Sequence, residues 1–489
     1  AAALLAMGAS MTSFAAGWQK DDAGVWHYYD SDDNQVTDEW KKDGGKWFYL
    51  NEDGDMETDA WVDDDYYVGE DGAMLTNAWK YTMSDDDQDD PDSDGKHWYY
   101  FNNKGKKVAD QDKKINGKTY LFNEDGEMLY GWQDWQGAIY YFGEEMDGAR
   151  TENKWLWLEK SGMLDTDEDV QKTVPGCSEN DICDDEGWYW FQSSGKMYKD
   201  KTKKKINGKF YMFNEHGQML YEWINGVKAN VASNAKLDSD SIEATASEVR
   251  YMNVVEEGWR ADGWYQIDGA DALKAGDDTD WYYFKDGKAK KADDGEKNNT
   301  DLTDDGAKVY TKKIKINGKN FCFNEIGQMQ TGLQMIDKKF YYFDNDGYMK
   351  TGKIANVEEE DDNYTYYFET KNGKNGQGYT GEKSGYLYWN GKRLEADDDY
   401  RIYVVDKKYY LVNNKGKLQK STSKEYDVEN FGDDVKFTFR NTYEIASSTK
   451  DGSEGTYKNA ATLPKIELFD NAIYQDALGV THYENTDAY

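Results

Sequence analysis

Three prolines, three cysteines and four histidines are all that 489 residues hold of those types. So few prolines argue against a proline-rich stalk or linker. His27, His97, His216 and His482 stand far apart and no CxxC occurs, so no zinc site, and no metal site in general, is expected. Positive charge is also short: 59 Lys and Arg face 96 Asp and Glu, a formal charge of −37. Phosphate recognition needs a basic stripe, so nucleic acid is not an expected partner, and adsorption to anionic lipid is disfavoured. The acidity favours cationic ligands or divalent ions, or else provides a soluble, secreted surface. GxSxG, HExxH and P-loop motifs are missing, and acid pairs are too common here to point to glycoside hydrolysis. No enzyme and no cofactor is therefore expected.

Long apolar runs are absent as well. The first residues, "AAALLAMGASMTSFAAGWQ", are too short a run to span a bilayer, and they end in a small-x-small signature. Residues 1–16 read as a signal-peptide remnant, cut after Ala15 or Ala16, with no transmembrane segment in the mature protein. No LPxTG sortase signal is visible; Leu463-Pro464-Lys465 is only a superficial echo. Any attachment to a surface is thus expected to be non-covalent.

Aromatics are abundant instead, at 16% of residues, with 40 Tyr and 18 Trp. Leu, Ile and Val are scarce. A thin structure built on aromatic contacts is expected rather than a thick aliphatic core. The chain also repeats itself. "KKINGKTYLFNEDGEMLYGW" (Lys113–Trp132) returns as "KKINGKFYMFNEHGQMLYEW" (Lys204–Trp223) and "KIKINGKNFCFNEIGQMQTGL" (Lys313–Leu333). Asn116-Gly117 signals a type I′ hairpin turn, Lys118–Phe122 a short strand, Asn123–Gly126 a second turn, and Glu127–Trp132 the returning strand. Looser copies such as "GKWFYLNEDGDMETDAW" and "DYYVGEDGAMLTNAW" bring the series to roughly fifteen units of about twenty residues. A single hairpin is marginal in water, and hairpins in series bury their faces on one another. The expected fold is all-β, a solenoid of tandem β-hairpins, with residues 421–489 as a small C-terminal β module or cap.

Acidic insertions, Asp85–Asp94, Asp181–Glu186 and Asp277–Asp280, precede three of the Trp-Tyr strands. "DPDSDG" (Asp90–Gly95) opens like a calcium loop, but its twelfth position is Phe101, where a bidentate Glu is needed. "CSENDIC" makes Cys177 and Cys183 a candidate local disulfide, and Cys322 reads as a buried free thiol.

These units resemble the cell-wall-binding repeats, of choline-binding type, found in Gram-positive surface proteins and autolysins. They are similar also to the short repeats of large clostridial toxins and of glucan-binding domains in glucosyltransferases. The resemblance covers most of residues 17–420. It divides the chain into cell-wall-binding-type repeats at 17–112, "INGK" blocks at 113–203 (with the Cys loop) and 204–313 (with an insertion), and further cell-wall-binding-type repeats at 314–420.

Strand residues alternate faces, so Trp47 and Tyr49 share one face and Phe48 and Leu50 the other. One face can pack inward while the other lines an aromatic pocket for a quaternary ammonium or a sugar ring. The resemblance implies that each pocket takes the Trp closing one hairpin, the first aromatics of the next, and the strand Met. This points to Trp40, Trp47, Tyr49, Met56, Trp61, Tyr66, Tyr67, Met74 and Trp79. A second set is Tyr120, Met128, Trp132, Tyr140 and Tyr141, and a third Tyr211, Met219 and Trp223. Any one of these aromatics is more often core than pocket wall. The family's Trp is replaced by Thr119, Ile139, Asn320 and Phe340 in four units, and the closing Gly-Trp by Glu222-Trp223, Gly332-Leu333 and Gly352-Lys353. Several pockets are therefore incomplete for choline. The implied function is an exported, non-catalytic protein that holds cell-wall teichoic acid choline or a glycan polymer at a Gram-positive surface. Two alternatives stand beside it: an adhesin-like or toxin-like binder of host or dietary glycans, and the targeting region of a wall hydrolase or glucan enzyme whose catalytic domain lies outside this chain. Oligomeric state is not legible.

Overall fold

The computed structural model describes residues 16–85, 95–160, 183–226, 245–276, 278–293, 301–302, 308–309, 311–337, 339–359, 362–371, 375–429, 431–449, 457–463 and 465–467. Residues 1–15, Cys177, the first acidic insertion after Asp85 with the calcium-like segment up to Asp94, and Asp181, Ile182 and Asp277 of the other two insertions lie outside them. The described chain is all-β, with short 3-10 turns at Asp271–Leu273 and Ala460–Thr462. It divides into two units, Ala1–Lys201 with Phe213–Met219, and Thr202–Met212 with Leu220–Tyr489.

In the first unit the strands form antiparallel hairpins one after another. Glu39–Asp43 pairs with Lys46–Leu50, Ala60–Val62 with Tyr66–Val68, Ala78–Thr82 with His97–Phe101, and Gln111–Ile115 with Lys118–Phe122. The tight turns are those the sequence predicts. Asn116 and Gly117 have φ of 49° and 91°, and Asn317 and Gly318 have 47° and 85°, the left-handed pair a type I′ turn requires. After several of the hairpins a second turn is held by an asparagine. Asn51 Oδ1 accepts from the N–H groups of Asp53 (3.1 Å) and Asp55 (2.9 Å), and Asn324 does the same for Ile326 and Gln328. Such side-chain turns explain why Asn opens the N-x-x-G motif.

The chain then steps back onto the preceding hairpin. Met56 N–H donates to Trp26 O at 2.8 Å, and Met74 N–H to Trp47 O at 2.8 Å. Each methionine lies on the turn glycine of a later repeat: a Cβ on Gly72 would meet Met56 Cε at 2.6 Å, and one on Gly105 would meet Met74 Sδ at 2.4 Å. The turn glycine is thus fixed twice, by its positive φ and by the methionine packed on it.

The alternation of faces is as expected. Phe48 and Leu50 are buried, whereas Trp47 is 39% exposed. Buried aromatics form small clusters along the first unit, such as Trp61, Tyr67, Tyr99 and Phe101. Full burial of one such ring contributes about 1.5–3 kcal/mol.

The second unit carries hairpins of the same kind, including Gly263–Asp268 with Thr279–Lys285 and Thr311–Ile316 with Lys319–Asn324. It ends in larger sheets. Five strands between Gly352 and Arg393 form one sheet. Eight form the last, which takes in Tyr400–Val405 and Lys408–Asn413 beside Tyr426–Val428, Gly432–Val435, Phe437–Arg440 and Glu444–Ser448. Its core is largely aliphatic, with Ile402, Leu411, Val428, Val435 and Ile445. Cys322 is a buried free thiol, its pKa pushed up to about 12 by burial. Cys183 is disulfide-bonded and accepts from Asn214 Nδ2 at 3.3 Å; its candidate partner Cys177 lies outside the described residues.

Candidate functional site

Strand register decides which aromatics meet. In the hairpin Ala78–Thr82/His97–Phe101, Trp79 stands opposite Tyr100, and Trp98 is two residues before Tyr100 on the same face. The following hairpin brings Tyr120, whose ring centroid is 4.8 Å from that of Trp79, and Phe122, stacked on Trp79 at 5.7 Å and 28°. Met128 pairs with Phe122 and closes the set. Trp98 stands edge-on to Trp79 at 6.2 Å. The result is a cavity of about 250 Å³ lined by Trp79, Trp98, Tyr120, Met128, Met146 and Asp147.

The second unit builds the same arrangement from equivalent register positions. Trp264 lies opposite Tyr283, Trp281 is two residues before it, and Phe321 and Met329 come from the next hairpin. Trp264 meets Phe321 at 4.7 Å, stacks on Phe323 at 5.9 Å and 23°, and stands edge-on to Trp281 at 6.4 Å. The cavity there is about 450 Å³ and includes Asn345, Asp346 and Tyr348 at its rim. Trp40, Trp47, Tyr66 and Met74 occupy these positions in the repeat before Trp61. Trp40 is 5.6 Å from Tyr66 and 5.2 Å from Tyr49, whose hydroxyl donates to Asp38. In chemical terms each such site offers two indoles, a third ring and a soft thioether.

The remaining sequence-selected residues separate. Met56 belongs one repeat earlier, beside the strand of Trp26. Trp61 and Tyr67 pack with Tyr99 and Phe101. Tyr120 and Met128 join Trp79, but Trp132, only 1% exposed, packs between Tyr141 and Tyr189 in a closed apolar cluster. Tyr140 lies under Arg150 at 5.6 Å. Tyr211 meets Trp259 at 6.4 Å, Met219 N–H donates to Trp188 O, and Trp223 packs on Tyr251, Tyr282 and Phe284. Trp223 also borders a cavity of about 580 Å³ with Tyr251, Gln266 and the acids Glu222, Asp268 and Asp271, without a second indole or a methionine. Sequence reasoning passed over Trp98, Trp264, Trp281, Phe321 and Met329. Counting two residues back from the aromatic opposite each closing Trp finds both rim indoles. Among the described residues no cluster of three or more His, Cys, Asp or Glu could hold a metal ion.

Known repeats match along the chain. A family described as "Choline-binding repeat" matches residues 34–73, a second so described matches 112–155 and 330–376, and "Putative cell wall binding repeat" matches 16–32, 93–107 and 182–197. These stretches are similar to choline-binding and cell-wall-binding repeats. Its curated relatives include Glucosyltransferase-S of Streptococcus mutans, 24% identical over 273 residues, which covers 54% of this chain and 15% of that protein. Glucosyltransferase-I of Streptococcus downei is 24% identical over 283 residues, covering 52% and 16%. The chain thus spans a small part of the relatives it matches. Among solved structures, the modular autolysin LytC of Streptococcus pneumoniae is 19% identical, covering 69% of this chain and 52% of that one at a TM-score of 0.33. Choline binding protein F of the same species, solved in the presence of a peptidoglycan analogue, is 18% identical, covering 76% and 100% at 0.34. Among the described residues no helix is long and apolar enough to cross a membrane.

Proposed function

We propose that this is an exported, non-catalytic repeat protein that binds the choline of teichoic acid through its open aromatic cages and is thereby held on a Gram-positive cell wall. One observation carries the reading. Two indoles, a third ring and a methionine, with an aspartate at the rim, recur at Trp79, Trp98, Tyr120, Met128 and Asp147 in one unit, and at Trp264, Trp281, Phe321, Met329 and Asp346 in the other. Aromatic faces attract a quaternary ammonium by about 0.5–2 kcal/mol. The carboxylates, and the charge of −37, favour a cation over a neutral ring. Weak cages add up on a polymer that presents choline repeatedly. Glycan recognition is the second reading, favoured by the acid-lined and amide-lined cavity beside Trp223 and Tyr251. The glucosyltransferase relatives, matched over 15–16% of their length, support a third, in which these repeats target a glucan enzyme.

The test is retention on purified walls with and without teichoic-acid choline, followed by elution with millimolar choline. Release by choline supports wall anchoring through ammonium. Retention on both walls despite choline moves the assignment to glycans, and no retention on either sinks wall anchoring.

A further inference from the structure

Not every repeat leaves its cage open. In the hairpin Ala60–Val62/Tyr66–Val68, Trp61 stands opposite Tyr67, Tyr99 comes from the next hairpin 4.9 Å from Trp61, and the methionine position is Lys107. The backbone is the same: Lys107 N–H donates to Asp65 O at 2.7 Å, as Met74 N–H does to Trp47 O. The stem is placed the same way, since a Cβ on Gly126 would meet Lys107 Cδ at 2.7 Å, as one on Gly105 would meet Met74 Sδ. The lysine then reaches further. Its ammonium ends 5.3 Å from the centroid of the Trp61 ring and 2.8 Å from Asp64 Oδ1. The side chain is only 8% exposed. Trp61 and Tyr99 are buried beside it.

Other repeats place cations alike. Arg150 takes the methionine position over Tyr140, 3.6 Å from Asp112. Lys313 takes the position of the closing Trp, opposite Cys322, with its ammonium 4.0 Å from the Tyr341 ring.

We propose that Lys107 is an internal ligand, its ammonium filling the Trp61–Tyr99 cage, and that it determines that this repeat takes no external quaternary ammonium. The inference rests on the ammonium reading of the open cages. A tethered cation competes at an effective concentration that free ligand does not match, and Asp64 holds it in place. Shortening the side chain to Met leaves the stem on Gly126 and empties the seat at the ring.

Choline titration of the full chain, followed by calorimetry and tryptophan fluorescence, counts the sites. Lys107→Met and Lys107→Gln are expected to bind one more choline per chain than the parent, and Lys107→Arg the same number, with near-UV circular dichroism unchanged. An unchanged count in folded Lys107→Met and Lys107→Gln overturns the inference and leaves the open-cage reading standing. Absence of choline binding in parent and variants alike overturns both. Amine acylation of the parent gives a readout that needs no variant. Lys107 should resist a reagent that labels Lys46, whose side chain is 55% exposed. Equal labelling also overturns the inference.

Discussion

Replacing Trp281 with Ala separates ligand binding from folding. Trp281 is 42% exposed and meets Trp264 edge-on at 6.4 Å, so it forms the rim of its cage rather than the core. One exposed edge-on pair is worth at most the low end of about 0.5–1.5 kcal/mol to the fold. To a bound ammonium the same face is worth about 0.5–2 kcal/mol, a roughly twofold to thirtyfold loss of affinity at that cage. Trp264 is different. It meets Tyr283 at 5.1 Å, Phe321 at 4.7 Å and Phe323 at 5.9 Å, so Trp264→Ala should cost about 3–5 kcal/mol of stability as well as the site. Choline titration calorimetry and thermal unfolding of both variants give the comparison. Trp281→Ala should weaken one class of site with little change in Tm, and Trp264→Ala should lower both. Unchanged choline binding in Trp281→Ala, or a Tm loss as large as that of Trp264→Ala, refutes the cage assignment.

Glycine substitutions should sort by what their Cβ meets. Gly148→Ala would place a Cβ 2.2 Å from Met128 Cε, and Gly347→Ala 2.3 Å from Met329 Sδ, so each should disturb one open cage and reduce the choline count. Gly117→Ala meets nothing within 4 Å, and should cost about 1–2 kcal/mol of left-handed strain in denaturant unfolding while choline binding is kept. Phe122→Ala, removing a fully buried ring stacked on Trp79, should cost about 3–5 kcal/mol by calorimetry. Stability should also fall at alkaline pH. Burial pushes the Cys322 thiol, and burial with the Glu222 charge the Tyr251 phenol, up to about 12, and burial raises Tyr189 and Tyr282 too. The unfolded chain loses these protons from about pH 8.5 for thiol and about 10 for phenol while the folded chain keeps them. Their contribution is therefore complete below about pH 8.5 and is lost as pH rises toward 12. Urea midpoints measured against pH should decline across that window, and Cys322→Ala should remove the part below pH 10.

Local chemistry made the repeat legible. The Asn-Gly pairs at 116–117, 207–208, 317–318 and 390–391 adopt positive φ, Asn with a glycine three residues on closes its turn through its own side chain, and alternation along four residues assigns Phe48 and Leu50 inward against Trp47. The cages were legible only in part. Trp40, Trp47, Tyr66 and Met74 were all selected, but Tyr120, Met128, Trp132 and Tyr140 were grouped although they belong to three neighbourhoods. Wall membership depends on the step from one hairpin to the next, and neither strand pattern nor turn motif encodes that step.

Turns and strand faces follow from residues a few places apart, so a tandem array of β-hairpins can be read directly from the order of residues. Which rings face a common space, and which side chains reach into it, depends on how the hairpins stack. Lys107 and Met74 stand at the same step of their repeats and lie on the same kind of turn glycine, but Met74 ends in a thioether at the wall and Lys107 carries an ammonium to 5.3 Å from the Trp61 ring. That difference lies in a reach of a few ångströms between hairpins, a distance that exists only once the hairpins have stacked.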